Sequence, residues 1–406
     1  MTIKTSPTEF LVEEILTEEF QTGVRTSQPD GAGGHALFVM KKSGVTTPQV
    51  LGEIARRLKV PSGAIGHGGL KDRHAETTQH VTIALTGGIR GAGPRSLDQR
   101  GWRLERLGWT DRPMSTSAVA GNRFTIVIRD LGEREARNMD RAAQLLAVEP
   151  QRLRVVNYFG NQRFGGAEND RELIAPRLIR GEFERALKLA IAAPSRRDHR
   201  DTKAQRRLIS EGWGAWAELL PKLERVPERR VIEHLVTNPD DFQGAFRLLP
   251  SFTQVMAIEA YQSLLWNAVA ARMVVGACAD LGEVVVADDP WGDLAFPAAT
   301  AIPAELAEIR VPLLTPDVVL EAPWDRAVEA VLRDEGVALT HLVVPGVDNL
   351  RFPSGSRRLF VDADEFKLSA PQPDDANSRG IRVRRTATFI LPSGAYATVV
   401  LRALGQ

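Results

Sequence analysis

The order of strand and helix patterns along this chain is the feature that most restricts its possible folds. Segments that alternate apolar with polar residues lie near both ends: FLVEEIL (10–16), ALFVMKKSG (36–44), GNRFTIVIRDL (121–131) and RVRRTATFILPSG (382–394). Such segments predict β-strands. Past residue 165, apolar residues recur at helical spacing, as in VMAIEAYQSLLWNAVAARMV (255–274). We therefore predict one sheet assembled from both termini and interrupted by a helix-rich insertion.

The remaining patterns fit the same plan. TTPQVLGEIARRLKV (46–60) has a threonine cap and Pro48 in its first turn, which predicts a helix, as does EREARNMDRAAQLLAVEP (133–150). The alternation in VTIAL (81–85) predicts a strand, whereas AYATVVLRAL (395–404) fits either a strand or a helix. The fold class expected is α+β, and 406 residues exceed one average domain.

Cysteine content and apolar segments exclude several classes of protein. The single cysteine, Cys278, excludes an intrachain disulfide framework and a metal site built from several cysteines. The first residues, MTIKTSPTEF, have no apolar core of a signal peptide, and the longest apolar stretch (268–279) is interrupted by Arg272. We expect a cytoplasmic protein with no membrane partner.

Positive charge is distributed unevenly. The net charge is +1, yet basic residues cluster in RRDHRDTKAQRR (196–207), ERVPERR (224–230) and RGIRVRR (379–385). Each run by itself is commonly a solvated surface. Three such runs in a chain of balanced charge mildly favour a polyanionic partner, since binding depends on local patches.

The segment GGLKDRHAETTQHVTIAL (68–85) places Lys71, Asp72, Arg73, His74 and Glu76 within six positions. Its H-x-E triplet occurs in zinc deaminases, but these also need a later P-C-x-x-C, which a lone cysteine cannot supply. The glycine clusters GAGG (31–34) and GGIRGAG (87–93) do not have the spacing of phosphate-binding loops, so they predict turns.

Asp72 is the candidate that remains in this segment. Its neighbours Lys71 and Arg73 favour the ionised carboxylate. An ionised carboxylate serves as a nucleophile, as a base, or as a stabiliser of positive charge on a sugar ring. The alternative is an exposed aspartate that caps a turn, and the charge pattern does not choose between them.

A second segment, VVNYFGNQRFGG (155–166), mixes aromatic residues with amides and Arg163. Such a mixture suits a planar base, which is bound by stacking and by hydrogen bonds to its edges. The same residues also suit a domain junction in which aromatic side chains pack and glycines turn, and the two interpretations are compatible.

Several segments, in order, resemble the TruD family of tRNA pseudouridine synthases. They are KTSPTEFLVEEI (4–15), GGLKDRHAETTQ (68–79), GNRFTIVI (121–128), VNYFGNQRFG (156–165) and LPSGAYATVVLR (391–402). The second is similar to the family's most specific signature, G-x-K-D-[RK]-H-A-x-T-x-Q. The chain departs from the family pattern at Glu9, at Val156 and at Tyr396, where aspartate, proline and phenylalanine are common.

The resemblance implies an isomerase that converts a uridine of RNA to pseudouridine. The N-glycosidic bond breaks, the uracil turns while it is held, and C5 bonds to C1′. Mass and redox state do not change, so no cofactor or metal is expected. The resemblance places the catalytic carboxylate at Asp72, which either attacks C1′ or takes the C2′ proton. The sequence leaves that choice open.

The resemblance also implies the residues around the substrate. Phe10 and Tyr396 would line the uracil pocket, Asn122 would hydrogen-bond the base or the backbone with Phe124 beside it, and Lys4 would keep Asp72 ionised or bind a phosphate. From the residues themselves, the three aromatic side chains fit core positions on strands equally well, and Asn122 fits a turn before a strand.

Transfer RNA is the expected partner by family analogy, with uridine 13 of the D-arm as the target, and no obligate protein partner is indicated. The candidate contacts to the RNA backbone are Lys71, Arg73, Arg163, Arg196, Arg197 and Arg384. The expected domains are a pseudouridine synthase catalytic domain with a mixed, mainly antiparallel sheet (1–155 and 342–406) and the family's helix-rich insertion domain (156–341).

Two other classes of function remain open at this stage. A non-catalytic RNA-binding or RNA-chaperone protein would tolerate Asp72→Ala. A glycosidase that acts on nucleosides would need a second carboxylate and a water, and Glu76 is the nearest candidate.

Overall fold

The computed structural model of the chain describes residues 2–28, 34–85, 94–168, 172–194, 198–223, 226, 228–278, 280, 282–375 and 382–405. The chain divides into two compact units: Met1–Val155 with Val361–Gln406, and Val156–Phe360. The fold is α+β, as the sequence predicts, with a large sheet in the first unit and helices dominating the second.

The strands described are β1 (Phe10–Leu16), β2 (His35–Ser43), β3 (Ile65–His67), β4 (Glu76–Ala84), β5 (Ser96–Gln99), β6 (Trp102–Thr110), β7 (Val119–Leu131), β8 (Ala147–Glu149), β9 (Arg152–Val156), β10 (Val284–Ala287), β11 (Leu294–Pro297), β12 (Arg310–Pro312), β13 (Ser356–Arg358), β14 (Phe360–Leu368), β15 (Gln372–Pro373) and β16 (Val383–Pro392). The α-helices described are α1 (Glu18–Thr22), α2 (Thr47–Leu58), α3 (Glu133–Leu146), α4 (Ala175–Ile179), α5 (Phe183–Ile191), α6 (Arg200–Glu211), α7 (Trp216–Leu219), α8 (Glu228–Thr237), α9 (Phe242–Arg247), α10 (Ser251–Cys278), α11 (Ala304–Ala307), α12 (Asp325–Glu335) and α13 (Ala397–Ala403).

The first unit is built on one mixed sheet that both termini supply. Within the described residues its strand order is β5-β6-β2-β4-β1-β7-β16-β14-β9-β8, and β15 and β3 pair with β16 and β4. β1 and β4 run parallel, whereas β7 is antiparallel to β1 and to β16. Strands from the two ends of the chain therefore meet at the centre of the sheet, where β7 lies between β1 and β16.

Helix α2 covers the sheet beside β2 and begins as the sequence predicts. The hydroxyl of Thr46 accepts a hydrogen bond from the backbone N–H of Gln49, whose side chain accepts one from the Thr46 N–H. Val50 and Ile54 face the sheet and pack in one buried cluster with Phe38. This packing brings the first turn of α2 close to the segment that precedes β4.

Several helix and strand boundaries differ from those predicted from the sequence. β4 begins at Glu76, well before the predicted start at residue 81, because its polar first half pairs with β1 and β2. The helix predicted over 133–150 ends at Leu146, where β8 follows. Residues 397–403 of the ambiguous segment form α13. β6 was not predicted, because its charged residues hide the alternation of buried Trp102 and Leu104.

The second unit is packed around α10, which is 28 residues long. Buried residues lie on all sides of this helix, and Trp266, which is fully buried, donates a hydrogen bond to the carbonyl of Val311. β12 pairs with β13, which ties residues 356–358 to this unit. In the portion of the chain that is described, none of the helices has the length and apolar character needed to span a membrane.

Candidate active site

Several polar and aromatic side chains of the first unit lie on one face of its sheet. Directly paired residues of neighbouring strands point to the same face, and residues two positions apart along a strand do so as well. The pairings of β2, β4, β1, β7 and β16 therefore place in one row Lys42, Thr77, Val12, Phe124 and Phe389. The next row on that face holds Gln79, Glu14, Asn122 and Leu391.

The loop between β3 and β4 lies over this face and is anchored by buried polar groups. The hydroxyl of Thr47 accepts a hydrogen bond from the Lys71 N–H (3.1 Å) and donates one to Gln79 Oε1 (3.0 Å). Gln79 Nε2 in turn donates to the carbonyl of Gly69 (3.3 Å). Because Thr47 and Gln79 are fully buried, the loop is tied to the sheet through side chains rather than through a strand ladder.

Gly68 and Gly69 allow the loop to approach the sheet this closely. A Cβ at Gly68 would lie 2.2 Å from Val119 Cγ2 and 2.9 Å from Glu14 Oε2, so a larger residue does not fit. Gly69 has a φ of +140°, a conformation that other residues rarely adopt. The glycines before the charged cluster thus have a structural reason that the sequence did not reveal.

Asp72 is held at the end of this loop by contacts to both carboxylate oxygens. Lys4 Nζ donates to Oδ2, and the backbone N–H of His74 donates to Oδ1 at 2.9 Å. The side chains of Lys4 and Asp72 are 19% and 20% exposed. Asp72 therefore caps a turn at His74, as the alternative interpretation expected, but its side chain is only one fifth exposed and also binds the Lys4 ammonium.

Lys4 connects Asp72 to the aromatic part of the site. Its ammonium lies 4.3 Å from the centroid of the Phe10 ring, a distance typical of a cation–π contact. Its backbone has a φ of +59°, in the left-handed region that side chains other than glycine and asparagine seldom occupy. Strained backbone of this kind clusters at functional sites, where the surrounding structure compensates for its cost.

Glu14 forms a buried ionic centre beneath the loop. Its side chain has no exposed area, Lys71 Nζ lies 3.0 Å from Oε2, and the His80 N–H donates to Oε1 at 2.8 Å. Burial by itself raises the pKa of Glu14, but the hydrogen bonds from His80 and the charge of Lys71 outweigh it and hold the pKa below 4.5. Glu14 is therefore ionised at neutral pH and pins the side chain that precedes Asp72.

A chain of phenylalanines extends from the site into the core. Phe10 meets Phe124 edge to face with centroids 6.4 Å apart, Phe124 lies 5.7 Å from Phe389, and Phe389 stacks on Phe366 at 6.4 Å. Phe10 and Phe124 are 4% and 8% exposed, so both expectations for them, core packing and a pocket wall, are compatible with this placement.

Asn122 lies on this face of the sheet, in β7, whereas Tyr396 lies outside the strands. Asn122 pairs with Glu14 on β1, and its Oδ1 is buried without a hydrogen-bond partner among the described residues. Tyr396 is half-buried and precedes the first turn of α13, in the segment that follows β16.

The structure also explains why Glu9 departs from the aspartate that is common in the family, because the longer side chain accepts a hydrogen bond from Arg129 Nε at 2.8 Å.

The candidate RNA-backbone residues have different surroundings. Arg73 is exposed and donates to the Gly44 carbonyl (3.1 Å), whereas Lys71 is 10% exposed and bound to Glu14. Arg384 lies on β16 opposite Gln372, at the end of that strand remote from Leu391. Arg196 and Arg197 lie outside the described residues. A phosphate contact of Lys71 would require its pair with Glu14 to open.

In the segment 155–166 the aromatic side chains form core rather than an open surface. Tyr158 is fully buried and donates to the Ala295 carbonyl at 2.9 Å, and Phe159 packs edge to face on Trp266 at 5.7 Å. Arg163 pairs with Glu259 at 2.8 Å in the second unit. Of the two interpretations of this segment, packing is the one that these contacts show.

Four residues of the site were not singled out from the sequence: Glu14, Lys42, Thr47 and Gln79. Lys42 and Gln79 occupy positions at which the alternation of their strands predicts an apolar residue. That mismatch is a signal which sequence reasoning could have used. Among the described residues, no group of three or more His, Cys, Asp and Glu side chains is arranged to hold a metal ion.

Comparison with known proteins points to one family. A family model described as tRNA pseudouridine synthase D (TruD) matches residues 1–404. The tRNA pseudouridine synthase D of Aquifex aeolicus (strain VF5) is 28% identical over an alignment that covers 99% of this chain and 97% of the relative. That of Geobacter metallireducens is 29% identical, covering 99% of this chain and 94% of the relative.

A solved structure supports the same fold. A crystal structure assigned to tRNA pseudouridine synthase D (TruD) of Methanosarcina mazei matches with a TM-score of 0.66 and 23% sequence identity, covering 99% of this chain and 92% of that chain. At this identity the likeness establishes the fold of the chain.

Proposed function

Since this chain belongs to the TruD family of tRNA pseudouridine synthases, we propose that it isomerises a uridine of transfer RNA to pseudouridine with Asp72 as its catalytic carboxylate. The single observation that carries this proposal is the placement of Asp72. Its carboxylate is oriented by the Lys4 ammonium and the His74 N–H, and about one fifth of the side chain is exposed. The family-wide match supports the reaction class, and the geometry supports the residue.

The chemistry needs an ionised carboxylate next to an electron-poor ribose carbon. Asp72 either bonds to C1′ as the N-glycosidic bond breaks, or takes the C2′ proton as the base leaves. The uracil then turns and C5 bonds to C1′. In the first route this breaks the bond between Asp72 and C1′, and in the second Asp72 returns the proton to C2′. The C5 proton goes to solvent, and N1 gains a proton. The product holds the same atoms as the substrate, so the step needs no oxidant or reductant.

Lys4 is proposed to keep the carboxylate ionised through this step. A cation in hydrogen-bond contact stabilises the charged form of a carboxylate and fixes its orientation. The contact of the Lys4 ammonium with the Phe10 ring restricts the cation to one position. Restriction of this kind prepares the site before substrate arrives, which lowers the reorganisation needed during the reaction.

The base pocket is proposed to combine aromatic walls with one amide. A uridine must leave its stack to reach Asp72, which costs roughly a few kcal/mol, and stacking on an aromatic wall offsets about 1–3 kcal/mol per base. Phe10, Phe124 and Tyr396 would supply these walls. Asn122 would read the uracil edge, and its buried Oδ1 without a partner among the described residues supports this role.

The substrate is proposed to be transfer RNA, with uridine 13 of the D-arm as the target. Arg73 is exposed next to the catalytic residue and is the phosphate contact that the described surface supports best. Lys71, Arg163 and Arg384 remain further candidates, as do Arg196 and Arg197. The proposed compartment is the cytoplasm, because the substrate is transfer RNA.

The test is tritium release from transfer RNA labelled at C5 of uracil. The wild-type protein should release tritium to water while the base stays attached to its RNA, and Asp72→Asn should release none and still bind the RNA. Release should stop when uridine 13 of the transcript is replaced by cytidine.

Other outcomes would overturn the proposal. Free uracil in place of bound pseudouridine would indicate hydrolysis, with Glu76 as the nearest second carboxylate. Binding without release from any transfer RNA would indicate an RNA-binding protein. Full activity of Asp72→Asn would remove Asp72 from the reaction.

A further inference from the structure

Lys42 is a buried cation directly beneath the loop that carries Asp72. It lies on β2 and is 2% exposed. Its partner on β4 is Thr77, so the two side chains are neighbours in one row on the same face of the sheet. Its ammonium donates hydrogen bonds to three backbone carbonyls: those of Asp72 (2.9 Å), Val45 (3.1 Å) and Lys71 (3.2 Å). Two of these carbonyls belong to consecutive residues of the Asp72 loop.

The Lys42 ammonium has as many hydrogen-bond donors as it has carbonyl partners. A lysine ammonium has three protons and no acceptor, and here each proton has a carbonyl oxygen. Burying a charge is costly unless hydrogen bonds compensate for the loss of water. Three carbonyl dipoles that point to one place also repel each other unless a cation lies between them. The loop and the ammonium therefore stabilise each other.

We propose that Lys42 is a positioning residue for Asp72. Its buried ammonium binds the carbonyls of Val45, Lys71 and Asp72 and thereby fixes the position of the Asp72 carboxylate. This inference rests on the proposed function, since it presumes that Asp72 reacts. The contacts of the Lys42 ammonium are to backbone carbonyls, one of which belongs to Asp72. The effect of Lys42 is transmitted by the backbone of the loop to the Asp72 carboxylate. A displacement of about 1 Å at a reacting group lowers the rate about a hundredfold.

The state of charge of Lys42 adds a second consequence. Burial, the largest influence, lowers the pKa of Lys42 to about 8, with Asp72 opposing that shift and Lys71 adding to it. Among the described residues, Asp72 and Lys71 are the charged groups that act on its ammonium, and its partners on the flanking strands, Thr77 and Trp102, do not titrate. Above pH 8 the amine keeps two protons for three carbonyls, so the loop loses an anchor.

Activity and stability should therefore respond to pH with opposite signs. The folded protein releases the Lys42 proton near pH 8, whereas the unfolded chain keeps it to about 10.4. Between these values the unfolded state binds more protons, so this residue makes folding more favourable as pH rises. The rate of reaction should fall over the same range, because the charged form is the one that holds the loop.

The experiment compares Lys42→Met with Lys41→Met in the full-length protein. Lys41 is the neighbouring lysine on the same strand, exposed and outside the site. Single-turnover formation of pseudouridine at saturating tRNA should fall about a hundredfold in K42M and less than twofold in K41M. Binding of tRNA to K42M should change less than threefold, because the residue does not touch RNA.

A pH profile separates positioning from simple structural support. The wild-type single-turnover rate should decline with a midpoint near pH 8, and Lys42→Arg, which stays protonated, should shift that decline to higher pH. A wild-type rate that is constant from pH 7 to about 9.5 would overturn the inference, as would K42M with an unchanged rate per folded molecule. If K42M does not fold, the wild-type and K42R profiles decide.

Failure of this inference is distinguishable from failure of the proposed function. If Asp72→Asn is inactive and K42M is fully active, Asp72 is catalytic and Lys42 has no positioning role. If the wild-type protein makes no pseudouridine, or Asp72→Asn remains active, the proposed function itself fails.

Discussion

The ammonium of Lys4 donates a hydrogen bond to the carboxylate of Asp72, a residue 68 positions later in the chain. This contact joins the N-terminal segment to the loop before β4, and each side chain keeps about one fifth of its surface exposed.

Lys4→Met should lower the single-turnover rate of pseudouridine formation about 10- to 100-fold, because Asp72 loses a charge-assisted hydrogen bond that orients it. The free energy of unfolding should change by about 1 kcal/mol or less, since an ion pair that keeps contact with solvent contributes little to stability. Lys4→Arg, which keeps the charge, should retain more activity than Lys4→Met. An unchanged rate in Lys4→Met would show that the cation is dispensable.

Arg73→Ala should weaken tRNA binding and reduce the slope of log affinity against log salt concentration by about 1, because one phosphate contact is lost. Its fold should be unaffected, as the side chain is exposed. Affinity measured at several salt concentrations tests this, and an unchanged slope would remove Arg73 from the RNA contacts.

Lys71→Ala, one position away, should act on stability instead. Removing it leaves the fully buried Glu14 carboxylate without its ammonium partner, which costs about 3–5 kcal/mol in a buried pair. Urea unfolding measures this loss, and the double variant with Glu14→Gln should recover much of it. A Lys71→Ala protein of normal stability but weak RNA binding would instead support the phosphate contact.

The stability of the protein should depend on Glu14 in acid. The pKa of Glu14 in the folded state lies below 4.5, so the unfolded state binds more protons between the two values. The stabilisation is therefore complete above pH 4.5 and is lost as pH falls through the lowered pKa. The urea midpoint of Glu14→Gln should vary less with pH across that range than the wild-type midpoint does. Parallel curves would contradict this assignment.

Tyr396→Ala should reduce kcat/KM about 5- to 150-fold if its ring stacks on the uracil, a loss that corresponds to about 1–3 kcal/mol. Tyr396→Phe should keep most of the activity, because the ring remains. Phe389→Leu is the matched control, since Phe389 is fully buried behind Phe124 and should affect unfolding rather than kcat/KM. Equal kinetic effects of Tyr396→Ala and Phe389→Leu would indicate a structural role for Tyr396.

Local patterns predicted some elements closely. β1 has the predicted bounds, Phe10–Leu16, because alternating apolar residues face the same side of a strand wherever the strand is placed. The start of α2 was also predicted, since the Thr46 and Gln49 cap is a contact between near neighbours. β6 was missed because charged residues on its outer side interrupt the apolar pattern.

The supporting residues of the site could not be predicted in this way. Thr47 acts on Lys71 and Gln79, which lie 24 and 32 positions away, and Lys42 acts on the Asp72 carbonyl 30 positions away. Polar residues at these positions have no local explanation. Their role becomes visible when the loop over the sheet supplies the partners that a buried polar group requires.

By itself, the sequence determined the α+β class, the strands that both termini supply and the prominence of Asp72, because these follow from local periodicity and from a charged motif. The family resemblance already pointed to Lys4 as the cation beside that carboxylate, whereas tertiary structure decided that Lys71, its direct neighbour, pairs with the buried Glu14 instead. In the sequence, Lys4, Lys71 and Arg73 are all simply positively charged residues. Strand register and burial separate them, since these set the partners that each charge can reach.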